Sequence, residues 1–218
     1  YTLLYTLSLH DALPIYAQES RWNDAATAFE SAARDADAAH DRQAARYWAQ
    51  AGNAWLAAGD AVKAQTALTT AITAGTLDNF GRGEALLDRA RAQVAAGRLA
   101  SARGDIDAAQ EATPKDPLAW LLSATLARRM NDLPRAQTDI AEALKLSSDD
   151  ASVQLEAGNI AALSGDADGA RTAWQAAAKL APGTATADNA RAALAQFDTP
   201  AAAPATPAAP TPAPAKKP

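Results

Sequence analysis

The chain has 218 residues, a formal net charge of −5, no cysteine and a hydrophobic share of 49%. The lack of thiols excludes disulfide bonds and thiolate metal sites, the acidic balance argues against a nucleic-acid-binding surface, and no apolar run of about 18 residues is present that could cross a membrane. Much of the hydrophobic share is alanine, the strongest helix former, so an all-helical chain is favoured.

The first segment, Tyr1–Ile15, differs from everything that follows. It has no initiating Met, no basic n-region and no small-residue cleavage site, so a signal peptide is not predicted. The segment resembles translated sequencing-adapter sequence, and we expect a non-native leader here. A genuine first helix is the alternative interpretation. We therefore seek function only after residue 15.

A small–large–small triplet at positions i, i+4 and i+7 recurs along the rest of the chain. This spacing places the three side chains on one face of an α-helix. The copies are Ala25/Phe29/Ala32, Ala64/Leu68/Ala71, Ala102/Ile106/Ala109, Ala136/Ile140/Ala143 and Ala170/Trp174/Ala177. They lie 39, 38, 34 and 34 residues apart, and a nearly fixed period is typical of stacked supersecondary units.

The helix that carries each triplet is here called helix B. Before it, further small and large residues at helical spacing predict a second helix, helix A, that packs against it. In the fullest copy, Trp48, Gly52 and Trp55 lie on one helical face, and Gly59-Asp60 provides the turn into helix B. Corresponding turns are expected at Gly97, Asn131-Asp132 and Gly165-Asp166. Asparagine tolerates the left-handed conformation of such a turn better than most residues with a side chain.

The units predicted from these slots are a partial repeat at 16–40, four repeats at 45–78, 83–116, 117–150 and 151–184, and a capping helix at 184–197. Asp116-Pro117 opens the fourth repeat with an N-cap acceptor and a proline at the first helical position. Gly75 is expected to end helix B of the second repeat in a left-handed conformation. A glycine in mid-helix, Gly104, is expected to weaken the third repeat by about 1 kcal/mol.

Residues 198–218 are rich in proline and alanine and cannot form a packed core, so a disordered, polyproline-II-like tail is predicted. The composition, rich in Ala, Arg and Asp and poor in Lys, indicates a bacterial source. The tail favours the periplasm or cell envelope, and the cytoplasm is the alternative.

The sequence offers no catalytic constellation. His40 is the only histidine after the leader, and it lies in a polar loop without a nucleophile to activate. The segment Ser164–Gly169 has the alternating aspartates of a calcium loop, but Gln175 stands where such a loop requires a bidentate Glu. We therefore expect no enzymatic activity, no bound metal and no cofactor.

These slots together resemble the tetratricopeptide repeat over about residues 16–197. The fullest match runs from Trp48 through Gly59 to Ala71, and Pro114–Trp120 (PKDPLAW) matches the junction between two repeats. Departures from the family pattern occur at Arg89, Gln93, Ser123 and Gln154. They predict that helix A is held less firmly in the third to fifth repeats.

The resemblance implies an all-α fold, in which helix-turn-helix hairpins stack into a right-handed superhelix (an α-solenoid) with a C-terminal capping helix. It also implies a non-enzymatic scaffold for protein–protein interaction, which binds a peptide or helix of a partner in its concave groove. The side chains carried over from the groove of the family are Arg46, Asn53, Leu87, Arg91, Leu121, Thr125, Arg128, Leu155 and Asn159.

The partner implied is an unidentified protein or peptide, with no nucleic acid and no insertion into a membrane, and the oligomeric state stays open. A clamp for a terminal carboxylate, which some members of the family have, is disfavoured: Asn53 matches it, but Ala49 stands where a Lys is needed. Two alternatives remain. One is an assembly or oligomerisation module that acts through convex or end faces, and the other is an accessory region of a larger chain.

Overall fold

The computed structural model describes residues 21–198, and within this range the chain forms ten α-helices and no strand. The helices are α1 (Trp22–Ala38), α2 (Ala44–Ala57), α3 (Ala61–Thr73), α4 (Asn79–Ala95), α5 (Leu99–Ala112), α6 (Pro117–Arg129), α7 (Leu133–Leu146), α8 (Ala151–Leu163), α9 (Ala167–Leu180) and α10 (Ala185–Asp198). The predicted all-α fold is confirmed. The leader predicted at 1–15 and the tail predicted from 198 onward, apart from the last residue of α10, lie outside the described residues.

Consecutive helices pair into hairpins, and the hairpins stack in chain order. We number the pairs as in the sequence: repeat 2 is α2 and α3, repeat 3 is α4 and α5, repeat 4 is α6 and α7, and repeat 5 is α8 and α9. The first helix of each pair is helix A and the second is helix B. Helix α1 packs on α2 at one end, and α10 packs on α9 and α8 at the other.

The recurring triplets form the core of repeats 2 to 5, where every member of the triplet is buried. In α1 the buried face is rotated by about one residue from the prediction. Ala25 is buried, but Phe29 and Ala32 are half-buried, and Ala33 is buried instead. Among residues 21–198, α1 packs chiefly on α2, so the side that faces α2 is the side that these residues cover.

Glycines in helix A allow the closest approach of helix B in two of the repeats. A Cβ atom at Gly52 would lie 2.4 Å from Leu68 Cγ, and one at Gly158 would lie 2.4 Å from Trp174 Cδ1. Real Cβ atoms do not approach other heavy atoms so closely. The large residue of the triplet therefore fills the space that the missing side chain leaves.

The turns between helices A and B have the predicted left-handed conformation. The φ angles are 82° at Gly59, 75° at Gly97, 61° at Asn131 and 82° at Gly165. Gly75 also has a positive φ, of 67°, just beyond α3, as predicted. Asparagine thus replaces glycine in the turn of repeat 4 without a change in backbone geometry.

Aspartate caps helix B in every one of these repeats except repeat 3. Asp60, Asp132 and Asp166 each accept a backbone hydrogen bond from the third residue that follows. The bond from Lys63 N lowers the pKa of Asp60. In repeat 3 the N-cap of α5 is Arg98, whose side chain accepts no such bond.

Polar residues replace alanine at one pair of facing slots in repeats 3 and 4. In repeat 3, Arg89 Nε and Nη2 donate to Asp105 Oδ2 and Oδ1, at 2.8 and 2.7 Å. In repeat 4, Ser123 Oγ donates to Asp139 Oδ2 at 2.5 Å. Both bonds join helix A to helix B, so the expected loosening of helix A is wrong at these two slots.

The remaining two departures from the family pattern behave differently from each other. Gln154 Nε2 donates to the carbonyl oxygen of Ser148 at 2.7 Å, which holds the start of α8 to the preceding loop. The Oε1 atom of Gln93 is buried and has no hydrogen-bond partner among the described residues. Among the four departures, the buried unpartnered oxygen of Gln93 is the feature that agrees with the predicted loosening of helix A, which stays a prediction.

The last helix of the described range, α10, covers the apolar end of the stacked repeats. Phe197 on α10 packs edge-on against Trp174 on α9, with the ring centroids 5.4 Å apart. Arg171 lies over the Phe197 ring at 5.3 Å and donates from Nε to Asp198 Oδ1 at 2.8 Å. Helix α10 thus acts as the capping helix that a stack of repeats needs.

Candidate peptide-binding face

The residues predicted to bind a peptide all lie on helix A of their repeats, that is on α2, α4, α6 and α8. We call this set the A-helix face: Arg46, Asn53, Leu87, Arg91, Leu121, Thr125, Arg128, Leu155 and Asn159. Because the repeats share one register, Asn53, Arg91, Thr125 and Asn159 occupy the same slot in four successive helices. Polar side chains thus recur along one line of the stack.

A first polar cluster links repeats 2 and 3. Asn53 Nδ2 on α2 donates to Asp88 Oδ2 on α4 at 2.9 Å. Arg91 Nη1, one turn further along α4, donates to the other oxygen of Asp88 at 2.7 Å. One carboxylate therefore orients both of the predicted side chains.

A second polar cluster links repeats 4 and 5 in the same manner. Arg128 Nε and Nη2 on α6 donate to the two oxygens of Glu156 on α8, at 2.6 and 3.1 Å. Asn159 Nδ2 donates to Glu156 Oε2 at 3.3 Å, and its Oδ1 accepts a bond from Trp174 Nε1 at 3.1 Å. Since the arginine pair is bidentate and half-buried, its geometry is well fixed.

The two acids, Asp88 and Glu156, were absent from the predicted set, yet they organise it. They stand in one slot of the repeat, at 88 and 156, and Leu122 occupies that slot in repeat 4. The helices follow this pattern: α2 contacts α4 and α6 contacts α8, whereas contact between α4 and α6 is slight at most. An acid recurring at twice the period was the signal in the sequence that could have identified them.

The apolar members of the predicted set differ in accessibility. Leu87 is buried, with 1% of its surface exposed, so its prediction as a contact residue is wrong. It belongs to a core cluster that also contains Ile106 of repeat 3 and Leu126 of repeat 4. Leu121 and Leu155 are half-buried and pack against the cores of repeats 4 and 5, leaving only an edge of each for a partner.

Arg46 and Thr125 are the polar members of the set whose side chains make no hydrogen bond or ion pair with another side chain in residues 21–198. Thr125 is half-buried. Arg46 is exposed and borders a shallow cleft formed by the loop before α2 and the loop before α4, together with Arg42 and Thr76. The hydroxyl of Thr76 donates to the carbonyl oxygen of Arg42 at 3.2 Å and closes one side of this cleft.

The described residues contain no group of three or more His, Cys, Asp or Glu side chains placed to hold a metal ion. Asp166, which the sequence placed in a possible calcium loop, instead accepts a bond from Gly169 N at 2.9 Å as an N-cap. His40 is exposed, with a φ of 55°. Within the same range, no helix has both the length and the apolar character that crossing a bilayer would need.

No protein-family profile matches the chain, and no curated protein matches it either. Among solved structures, a tetratricopeptide repeat protein from Parabacteroides merdae ATCC 43184 is similar with a TM-score of 0.66 and 16% identity, over 87% of this chain and 72% of that one. YrrB, described as a TPR protein with an unusual peptide-binding site, gives a TM-score of 0.58 and 17% identity, over 82% of this chain and 88% of that one.

A chain of the APC/C hetero-tetramer Cut9-Hcn1 is similar with a TM-score of 0.64 and 18% identity, over 79% of this chain. The aligned part makes up only 34% of that chain, so the present chain spans about a third of its length. At such identities, structural likeness establishes the fold and not the function. In fold, therefore, the described part of this chain is a tetratricopeptide-repeat α-solenoid that ends in a capping helix.

Proposed function

We propose that the chain is a protein-interaction scaffold that holds an extended peptide or a helix of a partner protein against the A-helix face. The observation that carries this proposal is the pair of preorganised clusters, Asn53 and Arg91 around Asp88 and Arg128 and Asn159 around Glu156. Side chains that are fixed before a ligand arrives lose little conformational entropy on binding.

The solved structures support the same interpretation by analogy. YrrB is described as having a peptide-binding site, and Cut9-Hcn1 is a protein assembly. An edge of Leu121 and of Leu155 beside the polar clusters provides the mixture of apolar and polar contacts that peptide grooves use.

The proposal is tested by selecting displayed random peptides of about twelve residues on the purified protein. The selected peptides are then titrated against the variant Asn53→Ala/Arg91→Ala/Arg128→Ala. We expect binding to fall at least about tenfold, since each substitution removes a hydrogen-bond donor from the A-helix face. The matched control is Glu111→Ala/Gln137→Ala/Gln175→Ala, three exposed positions on helix B, which should bind like the unmodified protein.

Circular dichroism must show that the triple variant keeps its helices. Should it unfold, adding Asp88→Asn and Glu156→Gln removes the two carboxylates whose arginine partners the substitutions take away. Peptides that bind both triple variants equally would assign the interaction to another face, and the assembly module would then be the better description.

A further inference from the structure

The junction between repeats 3 and 4 lacks the polar link that joins the neighbouring pairs of successive A helices. Asn53 on α2 donates to Asp88 on α4, and Arg128 on α6 donates to Glu156 on α8. In repeat 4 the slot of these two acids holds Leu122, whose side chain accepts no hydrogen bond. A link of the same kind from α4 to α6 therefore cannot form.

Apolar side chains fill the space between α4 and α6 instead. Leu87 and Leu126 are buried in one core cluster, and Leu122 and Val94 pack against that cluster and are half-buried. Few backbone positions of these two helices approach each other closely, in contrast to α2 and α4 or to α6 and α8. Apolar contacts have no preferred direction, whereas a bidentate arginine–carboxylate pair, such as that between α6 and α8, fixes the orientation of its two groups. The A side of this junction is therefore less constrained in orientation than the A side of the junctions next to it.

On the other side of the same junction, helix B of repeat 3 is tied to both helices of repeat 4. Arg103 Nη1 on α5 donates to Ser123 Oγ on α6 at 2.8 Å, and Arg135 Nη2 on α7 donates to Asp107 Oδ1 on α5. Asp139 on α7 accepts from Ser123 Oγ at 2.5 Å and from Arg135 Nε at 3.2 Å. We call these five residues the junction network.

The centre of the junction network is shielded from water. Ser123 is fully buried and Asp139 is 5% exposed. Burial, together with the nearby charge of Arg135, lowers the pKa of Arg103. Separating the helices here would leave buried polar groups without partners, which is costly. Because the two arginines have long side chains, their guanidinium groups can keep these bonds while the helices rotate through a small angle.

We propose that the stack bends at a hinge between repeats 3 and 4, with the junction network as its pivot and with α4 and α6 moving relative to each other on the opposite side. Repeats 2 and 3 form one rigid half and repeats 4 and 5 the other, because each of these pairs is linked on its A side. One polar cluster of the A-helix face lies in each half, so the hinge sets the distance between the cluster around Asp88 and the cluster around Glu156. The hinge is a property of the chain alone and does not depend on the proposed function.

The hinge can be measured with spin labels, because the chain has no cysteine and introduced pairs would be its only thiols. The last residues of the four A helices share one exposed slot, and successive pairs of them each span one junction. The three variants are Ala57→Cys/Ala95→Cys, Ala95→Cys/Arg129→Cys and Arg129→Cys/Leu163→Cys. The dipolar interaction of the labels in frozen solution gives the distribution of distances. The distribution for 95 and 129 should be at least about 1.5-fold wider than the other two.

Labels on helix B test the pivot. Thr66, Gly104, Thr138 and Thr172 share another exposed slot, and a Cβ atom at Gly104 would have no heavy atom within 4 Å. With cysteines at 104 and 138, the distribution should be as narrow as with cysteines at 66 and 104 or at 138 and 172. Because each comparison uses a single slot, the motion of the label itself contributes equally to every pair.

A matched pair of variants tests whether the missing link causes the hinge. Val94→Arg/Leu122→Glu places a donor and an acid in the slots that Arg128 and Glu156 occupy one repeat later, and should narrow the distribution for 95 and 129 to the width of its neighbours. Val94→Met/Leu122→Met keeps the contact apolar and should leave the distribution wide. Circular dichroism checks that both variants fold, and the three pairs without these substitutions still test the hinge if either variant unfolds.

Equal widths for the three A-helix pairs would describe a uniformly elastic stack and would overturn the hinge. A wide distribution for 104 and 138 would show that the repeats separate on both sides, which would overturn the pivot. A distribution for 95 and 129 that stays wide in folded Val94→Arg/Leu122→Glu would overturn the role given to Leu122. These measurements need no ligand, so the hinge and the proposed function can fail independently.

Discussion

In the outer repeats, 2 and 5, helices A and B meet across a glycine, whereas in the middle repeats, 3 and 4, a polar bond joins them. Gly52 receives Leu68 and Gly158 receives Trp174. The facing slots beside these glycines hold only alanine: Ala51 and Ala67 in repeat 2, and Ala157 and Ala173 in repeat 5. At these slots the outer hairpins are therefore held by complementary shape, and in repeat 5 Trp174 Nε1 also donates to Asn159 Oδ1 at 3.1 Å.

The middle repeats fill the same slots with a donor and a buried acid. Arg89 binds Asp105 in repeat 3, and Ser123 binds Asp139 in repeat 4. Arg103 of repeat 3 also reaches across to Ser123 Oγ at 2.8 Å, so the polar slot of repeat 4 is shared between two repeats. Apolar contacts of this kind can form in any repeat that has small residues at these slots. A hydrogen bond, in contrast, requires a donor or an acceptor at one particular position of the neighbouring helix.

The largest expected effect comes from breaking the polar bond of repeat 3. Asp105→Ala leaves the half-buried Arg89 guanidinium without its bidentate partner, and we expect a loss of about 3 kcal/mol in the free energy of unfolding. Urea titration followed by circular dichroism measures it. The variant Arg89→Met/Asp105→Leu, which is apolar like the outer repeats, should recover to within about 1 kcal/mol of the unmodified chain. A cost below about 1 kcal/mol for Asp105→Ala would show that the bond contributes little.

The next effect tests the glycine of an outer repeat. Gly158→Ala adds a methyl group only 2.4 Å from Trp174 Cδ1 and 2.5 Å from its Nε1. Overpacking against a rigid ring costs about 1–3 kcal/mol and exceeds the gain of up to about 1 kcal/mol in helix propensity. We expect lower stability in the same titration, together with a change in the near-ultraviolet signal of tryptophan. Increased stability would mean that Trp174 moves aside freely.

A smaller effect concerns the missing cap of repeat 3. Arg98→Asp gives α5 the N-cap residue that Asp60, Asp132 and Asp166 provide elsewhere, and should raise the free energy of unfolding by about 1 kcal/mol. Asp132→Ala should lower it by a similar amount. The melting temperatures of the two variants should move in opposite directions. A decrease with Arg98→Asp would indicate that the exposed contact of Arg98 with Gln65 outweighs the cap.

The smallest expected effect is that of Gly104→Ala, which also serves as the control for Gly158→Ala. A Cβ atom at Gly104 on α5 would have no heavy atom within 4 Å. Gly104→Ala should therefore stabilise the chain, by about 0.5–1 kcal/mol, through helix propensity alone. The same substitution then has opposite signs in a middle and an outer repeat, and differential scanning calorimetry of both variants measures that contrast.

Local rules predicted most of the fold correctly. The triplets of repeats 2 to 5 are buried, and Asn131 has the left-handed conformation of a turn. Asp116 accepts a bond from Leu118 N at 2.9 Å as the N-cap of α6. These features depend on residues a few positions apart, so periodicity and turn chemistry suffice to predict them.

The hydrogen bonds between side chains of different repeats could not be predicted from such local rules. Asp88 accepts bonds from its own helix and from α2, and Asn53 lies 35 residues away from it in sequence. Which side chain meets which across two repeats depends on how the helices superpose, and the sequence alone does not give that arrangement. Leu87 was misplaced for the same reason, because its burial depends on contacts between two repeats.

In repeat 4 the slot that holds Asp88 in repeat 3 and Glu156 in repeat 5 holds Leu122 instead. No carboxylate in this slot therefore links α4 to α6. Across this step the polar links run from helix B of repeat 3 instead, from Arg103 to Ser123 and from Asp107 to Arg135. The A helices α4 and α6 should therefore separate more easily than the neighbouring pairs of A helices when the solenoid bends. A ligand that binds both Arg91 and Arg128 would span this joint and restrain it. Occupancy of the A-helix face would then be transmitted to both ends of the rod as a change in curvature.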